Sequence, residues 1–181
     1  MQDGILEQGS LLAADGRIEE IRDNTGEKAF CRVVDLQGNY LAPGFVDIHV
    51  HGGGGCDFMD GEREDWEKAL KTHLQHGTTS ICPTTLTASR GEMERVFELY
   101  RQLKKEEAPG LPRLLGVHME GPYIAESMKG AQNAEYIHKP ERNLTQWLLE
   151  KGAGALRVLT MAPELEGARE AARSFREAGV L

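Results

Sequence analysis

Two histidines separated by one residue stand in the stretch VDIHVHGGGG, which begins as an apolar segment and ends in four glycines. On a β-strand, His49 and His51 would share one face, because side chains alternate between the two faces of a strand. Two imidazole nitrogens placed in this way can bind one metal ion at about 2.0–2.1 Å. Asp47 lies on the same face, and we expect its carboxylate to orient one imidazole by a hydrogen bond. The pattern predicts a divalent metal site at the end of a strand.

A carboxylate occupies the matching place in a later apolar segment, RLLGVHMEGP. Glu120 ends this segment and shares a face with His118. It could bind the same metal ion or bridge two ions, since carboxylate oxygens are common metal ligands. The alternative is that Glu120 only accepts a hydrogen bond from an amide in the Gly-Pro turn that follows.

The remaining histidines and cysteines have simpler interpretations. His73 lies on the apolar face of a predicted helix and is expected to pack in the core. His76 ends that helix and complements its dipole, whereas His138 is expected at the surface. No base adjoins Cys56 or Cys82 in a recognisable pattern, so both are expected to have packing roles.

The elements that position these groups alternate between strand and helix from Phe45 onward. Apolar strands are predicted to end at His51, near Thr84, at Glu120 and near Pro163, each followed by an amphipathic helix. Such alternation predicts an α/β fold with a parallel sheet covered by helices. The four units correspond to the first half of a (β/α)8 TIM-type barrel, in which working residues lie at the carboxyl ends of the strands.

The first 43 residues have a different pattern. The segment GSLLAADGRIEEI predicts a hairpin turning at Asp15-Gly16, and CRVVDLQGNYLAPG predicts another strand or two. We therefore predict an incomplete small β module over residues 1–43 and a partial barrel over residues 44–181. A full barrel typically needs about 250 residues. The expectation is a truncated chain in which Val180 and Leu181 open a fifth barrel strand.

Composition excludes several classes of function. The formal net charge of −8 and the lack of a basic stripe argue against a nucleic-acid partner. No apolar run is long enough to span a membrane. Three cysteines without a CxxC pair favour reduced thiols, which predicts a cytoplasmic location. The glycine run has no GK[ST] continuation, so a nucleotide-binding loop is not expected.

The motifs LAPGFVDIHVHGGGGCDFMDG, HGTTSICPTTLT, GVHMEGPYI, KGAQN and TMAPE occur in this order along the chain. Together they resemble the N-terminal half of the N-acetylglucosamine-6-phosphate deacetylase family, within the amidohydrolase superfamily. The resemblance implies metal-dependent removal of acetate from an amino-sugar phosphate, with one or two Zn or Fe ions. It also implies a small-molecule substrate and a homo-oligomer for the full-length protein.

The resemblance assigns roles to several residues. It makes Glu120 a metal ligand and the pair His49 and His51 a ligand set for a second metal ion. Ala131 matches a position whose backbone contacts the sugar. Gln132 stands where many members have a histidine that faces the substrate, so a role that needs an imidazole is weakened there.

The resemblance also implies that part of the site is absent. Two further metal histidines and a catalytic aspartate would lie beyond Leu181, so this chain by itself is expected to be inactive. One alternative is another amidohydrolase, such as a dihydroorotase or hydantoinase. Those enzymes place a carboxylated lysine at the end of the fourth strand, and no lysine occurs between Ala155 and Glu164. Another alternative is a non-catalytic barrel fragment that needs a partner chain.

Overall fold

The computed structural model describes residues 4–23, 32–106 and 108–181, which fall into two compact units divided between Ala42 and Pro43. In the first unit, strands β1 (Ser10–Ala14) and β2 (Arg17–Arg22) form an antiparallel hairpin. The turn between them has positive φ angles of 50° at residue 15 and 72° at residue 16. An Asp-Gly pair tolerates such angles, which confirms the predicted hairpin.

The second prediction for this unit is wrong where it can be checked. Residues 32–44 contain no strand, and Cys31, which opens the predicted segment, lies outside the described residues. A turn interrupts the segment instead. The backbone N–H of Gln37 donates to Asp35 Oδ1 at 2.8 Å, and the backbone N–H of Asn39 donates to Leu36 O at 2.9 Å. Alternating apolar residues form a strand only when a neighbouring strand takes up their backbone groups.

The second unit is built on four parallel strands, which lie in the order β3 (Phe45–Val50), β6 (Thr78–Thr85), β8 (Val117–Glu120) and β9 (Leu156–Thr160), with β7 (Arg113–Leu114) paired to β6. This order confirms the predicted parallel sheet of consecutive βα units. Two short strands, β4 and β5, pair with each other directly after β3. The elements are β3 (Phe45–Val50), β4 (Gly52–Gly53), β5 (Cys56–Asp57), α1 (Arg63–Gln75), β6 (Thr78–Thr85), α2 (Arg90–Glu106), β7 (Arg113–Leu114), β8 (Val117–Glu120), α3 (Arg142–Lys151), β9 (Leu156–Thr160) and α4 (Ala168–Glu177).

Helices α1 and α2 bury the faces that the sequence predicts. Trp66 and Leu70 of α1 are fully buried, and the Trp66 indole N–H donates to Phe58 O at 2.9 Å. The rings of Trp66 and Phe58 meet edge to face with centroids 5.1 Å apart, a favourable arrangement for aromatic pairs. The buried residues of α2 are Met93, Val96, Phe97, Leu99, Tyr100 and Leu103.

Helix α2 begins with a reciprocal cap. The Ser89 amide donates to Glu92 Oε2 at 2.8 Å, and the Glu92 amide donates to Ser89 Oγ at 3.3 Å. The hydroxyl of Ser89 also donates to Glu92 Oε2, and these bonds lower the pKa of that carboxyl. These reciprocal bonds form the capping box that a serine followed three residues later by a glutamate indicates in the sequence.

Replacing Ser89 with alanine should lower the free energy of unfolding by about 1 kcal/mol, because the Glu92 amide would lose its acceptor and the Glu92 carboxylate would lose the hydroxyl donor. Urea denaturation followed by circular dichroism would measure the change. Ser127→Ala, in an exposed turn, serves as the control and should have little effect. Equal stability of the Ser89 variant and the wild type would contradict the role of the cap.

Two element boundaries and one packing prediction are wrong. Strand β9 ends at Thr160 rather than near Pro163, because the Ala162 amide donates to Tyr123 O at 2.7 Å instead of continuing the sheet. The sequence pattern predicts a fourth helix from about Glu164 to Ala178. Helix α4 instead begins at Ala168, after Gly167 in a left-handed conformation with φ of 83°.

The apolar face of β3 was expected to pack against helices. Val46 is 62% exposed and Ile48 is 57% exposed, so that expectation is not met in the described residues. The predicted opening of a further strand is supported at Leu181, which exchanges backbone hydrogen bonds with Arg157 O (3.0 Å) and the Leu159 amide (2.8 Å). One residue bonding to two alternate residues of its neighbour is the pattern of a parallel ladder.

Within the described part of the chain, every helix is too short or too polar to cross a lipid bilayer.

Candidate metal centre

Three predicted ligands meet at the carboxyl end of the parallel sheet. His49 lies at the end of β3, His51 follows that strand directly, and Glu120 ends β8. Nε2 of His49 lies 3.2 Å from Nε2 of His51. Glu120 Oε2 lies 3.4 Å from the first nitrogen and 3.1 Å from the second. The three atoms therefore form a nearly equilateral triangle.

The triangle fits a bound metal ion. Ligand atoms at about 2.0–2.1 Å from a tetrahedral Zn²⁺ lie about 3.3–3.4 Å apart, and octahedral geometry shortens this to about 2.9 Å. The observed separations fall within or close to this range. Two imidazoles and one carboxylate are also donor types that Zn²⁺ and Fe²⁺ accept. This group could hold a metal ion.

The role expected for Asp47 is wrong. Its Oδ1 accepts a hydrogen bond from the backbone amide of His49 at 3.1 Å rather than from an imidazole. Nδ1 of His51 is buried and has no hydrogen-bond partner among the described residues. The aspartate therefore shapes the backbone that carries the ligand, because a short polar side chain can bond the amide two residues ahead.

The glycines after His51 bring two backbone segments close together. A Cβ atom on Gly52 would lie 2.0 Å from Cys56 O, so no larger residue fits there without a shift of the backbone. His73, which was expected to pack in the core, is half-buried, and its Nε2 lies 2.9 Å from Gly52 O. Because a carbonyl only accepts, that ring nitrogen carries the hydrogen. The histidine thus ties the glycine segment to α1.

The remaining histidines and cysteines lie apart from the metal centre. His76 Nδ1 lies 2.8 Å from Thr72 O at the end of α1, where it satisfies a last-turn carbonyl. His138 is exposed, as predicted. Burial raises the pKa of the Cys82 thiol. Burial and a hydrogen bond to Asp65 raise the pKa of Cys56, and a raised pKa disfavours the nucleophilic thiolate.

The two residues expected to contact substrate lie in the loop after β8. Ala131 is exposed, whereas Gln132 is buried. Gln132 Oε1 accepts a hydrogen bond from the Thr87 amide at 2.7 Å, which joins the loop after β6 to the loop after β8. The oxygen of the side-chain amide is thus occupied, while its nitrogen is the group that remains to donate.

His118, for which no role was predicted from the sequence, lies directly beside the metal centre. It is buried, and desolvation lowers its pKa, which favours the neutral imidazole. Its ring meets that of His49 at a centroid distance of 4.7 Å. The sequence contains one signal for this placement. His118 stands two residues before Glu120 on the same strand, so both side chains lie on one face.

The sequence model of the amidohydrolase family matches residues 40–173 of this chain. The chain belongs to the amidohydrolase family. This membership agrees with the resemblance carried by its motifs, and the family's metal-dependent chemistry agrees with a group of residues that could hold a metal ion.

Several characterised relatives are deacetylases of amino-sugar phosphates. The chain is 27% identical to the N-acetylglucosamine-6-phosphate deacetylase of Bacillus subtilis (strain 168), over 98% of this chain and 46% of that protein. It is 32% identical to the N-acetylgalactosamine-6-phosphate deacetylase of Escherichia coli O157:H7, over 99% of this chain and 46% of that protein. The chain thus spans less than half the length of these relatives.

Solved structures agree with the fold. N-acetylglucosamine-6-phosphate deacetylase from Pasteurella multocida superposes with a TM-score of 0.84 at 29% identity, covering 96% of this chain and 45% of that one. A mutant of the Mycobacterium smegmatis enzyme in complex with N-acetyl-D-glucosamine-6-phosphate gives a TM-score of 0.79 at 31% identity, with coverage of 96% and 44%. These matches and the parallel sheet confirm the α/β fold class, part of a (β/α)8 barrel.

Proposed function

We propose that this amidohydrolase chain belongs to a metal-dependent deacetylase that converts N-acetylglucosamine 6-phosphate to glucosamine 6-phosphate and acetate. The observation that carries the proposal is the convergence of His49, His51 and Glu120 at the carboxyl end of the parallel sheet. Barrels of this type place their reacting groups at that end. The deacetylase names of the relatives supply the substrate class.

His49, His51 and Glu120 would hold one or two divalent ions, which we propose to be Zn²⁺ or Fe²⁺. A bound ion of this kind polarises a carbonyl oxygen and makes water a stronger nucleophile near neutral pH. The protein supplies two neutral imidazoles and one negative carboxylate, so the centre keeps a net positive charge that attracts the carbonyl oxygen of an amide.

Gln132 and Ala131 would orient the sugar. With its Oε1 bound to the Thr87 amide, Gln132 presents only its Nε2 hydrogens to a ligand. Such a donor can bind a sugar hydroxyl or the acetamide oxygen. The backbone of Ala131 lies next to Gln132 in an exposed loop. Its N–H and C=O groups can hydrogen-bond the substrate, and this contact does not depend on the identity of the side chain.

A dihydroorotase or hydantoinase is the competing enzyme class. Strand β9 carries Leu156, Arg157, Val158, Leu159 and Thr160, so it offers no lysine to bridge two metal ions. Glu120 supplies the carboxylate from β8 instead. This difference favours the deacetylase.

Acetate release tests the proposal when the chain is combined with a second polypeptide that supplies further barrel units. We expect release from N-acetylglucosamine 6-phosphate in the presence of Zn²⁺ or Fe²⁺, and no ring opening of dihydroorotate. N-acetylgalactosamine 6-phosphate belongs in the same assay because of the E. coli relative. Ring opening without acetate release would contradict the proposal.

The division into a β module (residues 1–43) and a barrel part (residues 44–181), the cytoplasmic location and a homo-oligomeric state stay predictions.

A further inference from the structure

Strand β3 is irregular at the point where it carries the metal-binding histidines. Asp47 pairs with Ile81 of β6, whereas Val50 pairs with Pro83. Three residue steps on β3 therefore oppose two steps on β6, which is the spacing of a β-bulge. A bulge interrupts the regular ladder, and backbone groups that lose a ladder partner in the interior need another one.

Two side chains supply these partners. The Val50 amide donates to Thr84 Oγ1 at 2.9 Å. Ile48 O lies 2.6 Å from His118 Nδ1. Since a carbonyl oxygen only accepts, the hydrogen of His118 is on Nδ1. Its Nε2 then accepts from the hydroxyl of Thr160, 2.8 Å away.

His118 therefore connects the strands that carry the ligands. Ile48 directly precedes His49 on β3, and Glu120 follows His118 by two residues on β8. The third bonded residue, Thr160, ends β9. The His118 ring also meets the His49 ring at 68°. Among the described residues, no other buried side chain forms hydrogen bonds to both β3 and β9.

We propose that His118 is a positioning residue that fixes the spacing between the histidine pair on β3 and Glu120 on β8, and so sets the metal affinity. The inference rests on the proposed metal centre. It differs from a packing role, because it depends on the Nδ1–H donor and not only on the volume of the ring.

Two variants of similar size separate these roles. His118→Leu fills the site without a donor, whereas His118→Asn retains an N–H donor at the δ position. We expect His118→Leu to weaken Zn²⁺ binding about 10–100-fold, the range typical for partners that orient a metal ligand. His118→Asn should retain most of the affinity. Isothermal titration with Zn²⁺ measures both, and the visible absorption of bound Co²⁺ should change in the leucine variant.

His138→Leu is the control, because His138 is exposed and lies in the loop before α3. Equal affinities of the leucine and asparagine variants, or affinities that follow their thermal stability alone, would overturn the positioning role. A wild-type chain that binds no Zn²⁺ would overturn the proposed metal centre itself. If His118→Leu does not fold, Thr160→Val can be compared with Thr160→Ser, since only serine keeps the hydroxyl that donates to Nε2 and so holds the ring hydrogen on Nδ1. Equal affinities there would overturn the inference.

Discussion

Replacing Glu120 with glutamine should weaken Zn²⁺ binding to the chain by more than a hundredfold. Glu120 supplies the only negative charge of the ligand triangle, within 3.4 Å of both imidazole nitrogens. Loss of a partner that merely orients a ligand costs about 10–100-fold in metal affinity, and loss of the ligand itself should exceed that. Isothermal titration with Zn²⁺ measures the effect.

Glu126→Gln is the matched control, because it makes the same substitution at an exposed position in the loop after β8. Its affinity should equal that of the wild type. Tight binding that survives both His49→Ala and Glu120→Gln would show that the metal ion binds elsewhere in the chain.

The 181-residue chain by itself should release no acetate above background from N-acetylglucosamine 6-phosphate. Amide hydrolysis needs a group that protonates the leaving nitrogen, and losing one typically costs about 10²–10⁴-fold in rate. In the proposed metal centre, His49, His51 and Glu120 would be occupied as ligands. His118 has both ring nitrogens in hydrogen bonds.

Addition of a second polypeptide that supplies further barrel units should restore acetate release, and Glu120→Gln in this chain should abolish it. The same mixture with Glu126→Gln should remain active. Robust release from the chain alone would refute this account of where the catalytic groups lie. Acetate can be measured by a coupled enzymatic assay with Zn²⁺ or Fe²⁺ present.

The sequence determined the order of elements in the barrel part, because the spacing of apolar residues depends on local geometry. Alternation at Val46, Ile48 and Val50 indicated a strand, and the 3.6-residue spacing in α2 identified its buried face. The cap at Ser89 and the hairpin at Asp15 also depend on residues close in sequence. For the same reason, the identities of the ligand residues could be proposed from motifs alone.

The ends of the strands and the partners of their backbone groups depended on contacts between segments that are distant in sequence. Residues 32–42 have a strand-like pattern but form no strand, since they have no pairing neighbour among the described residues. Strand β9 ends at Thr160 because Tyr123, 39 positions from Ala162, accepts the hydrogen bond of the Ala162 amide. No local pattern contains that information.

The metal centre shows the same division. The sequence alone determined which residues could bind a metal ion, because the two histidines and the glutamate stand at predicted strand ends. Only the tertiary structure decided their separations, the bulge in β3 and the partner of Asp47. His118 gained its role in the same way, since its bond to Ile48 joins residues 70 positions apart. Strand register and side-chain hydrogen bonds form only when the sheet assembles. They depend on packing between segments that are distant in sequence and not on local propensity, and for this reason the sequence alone did not determine them.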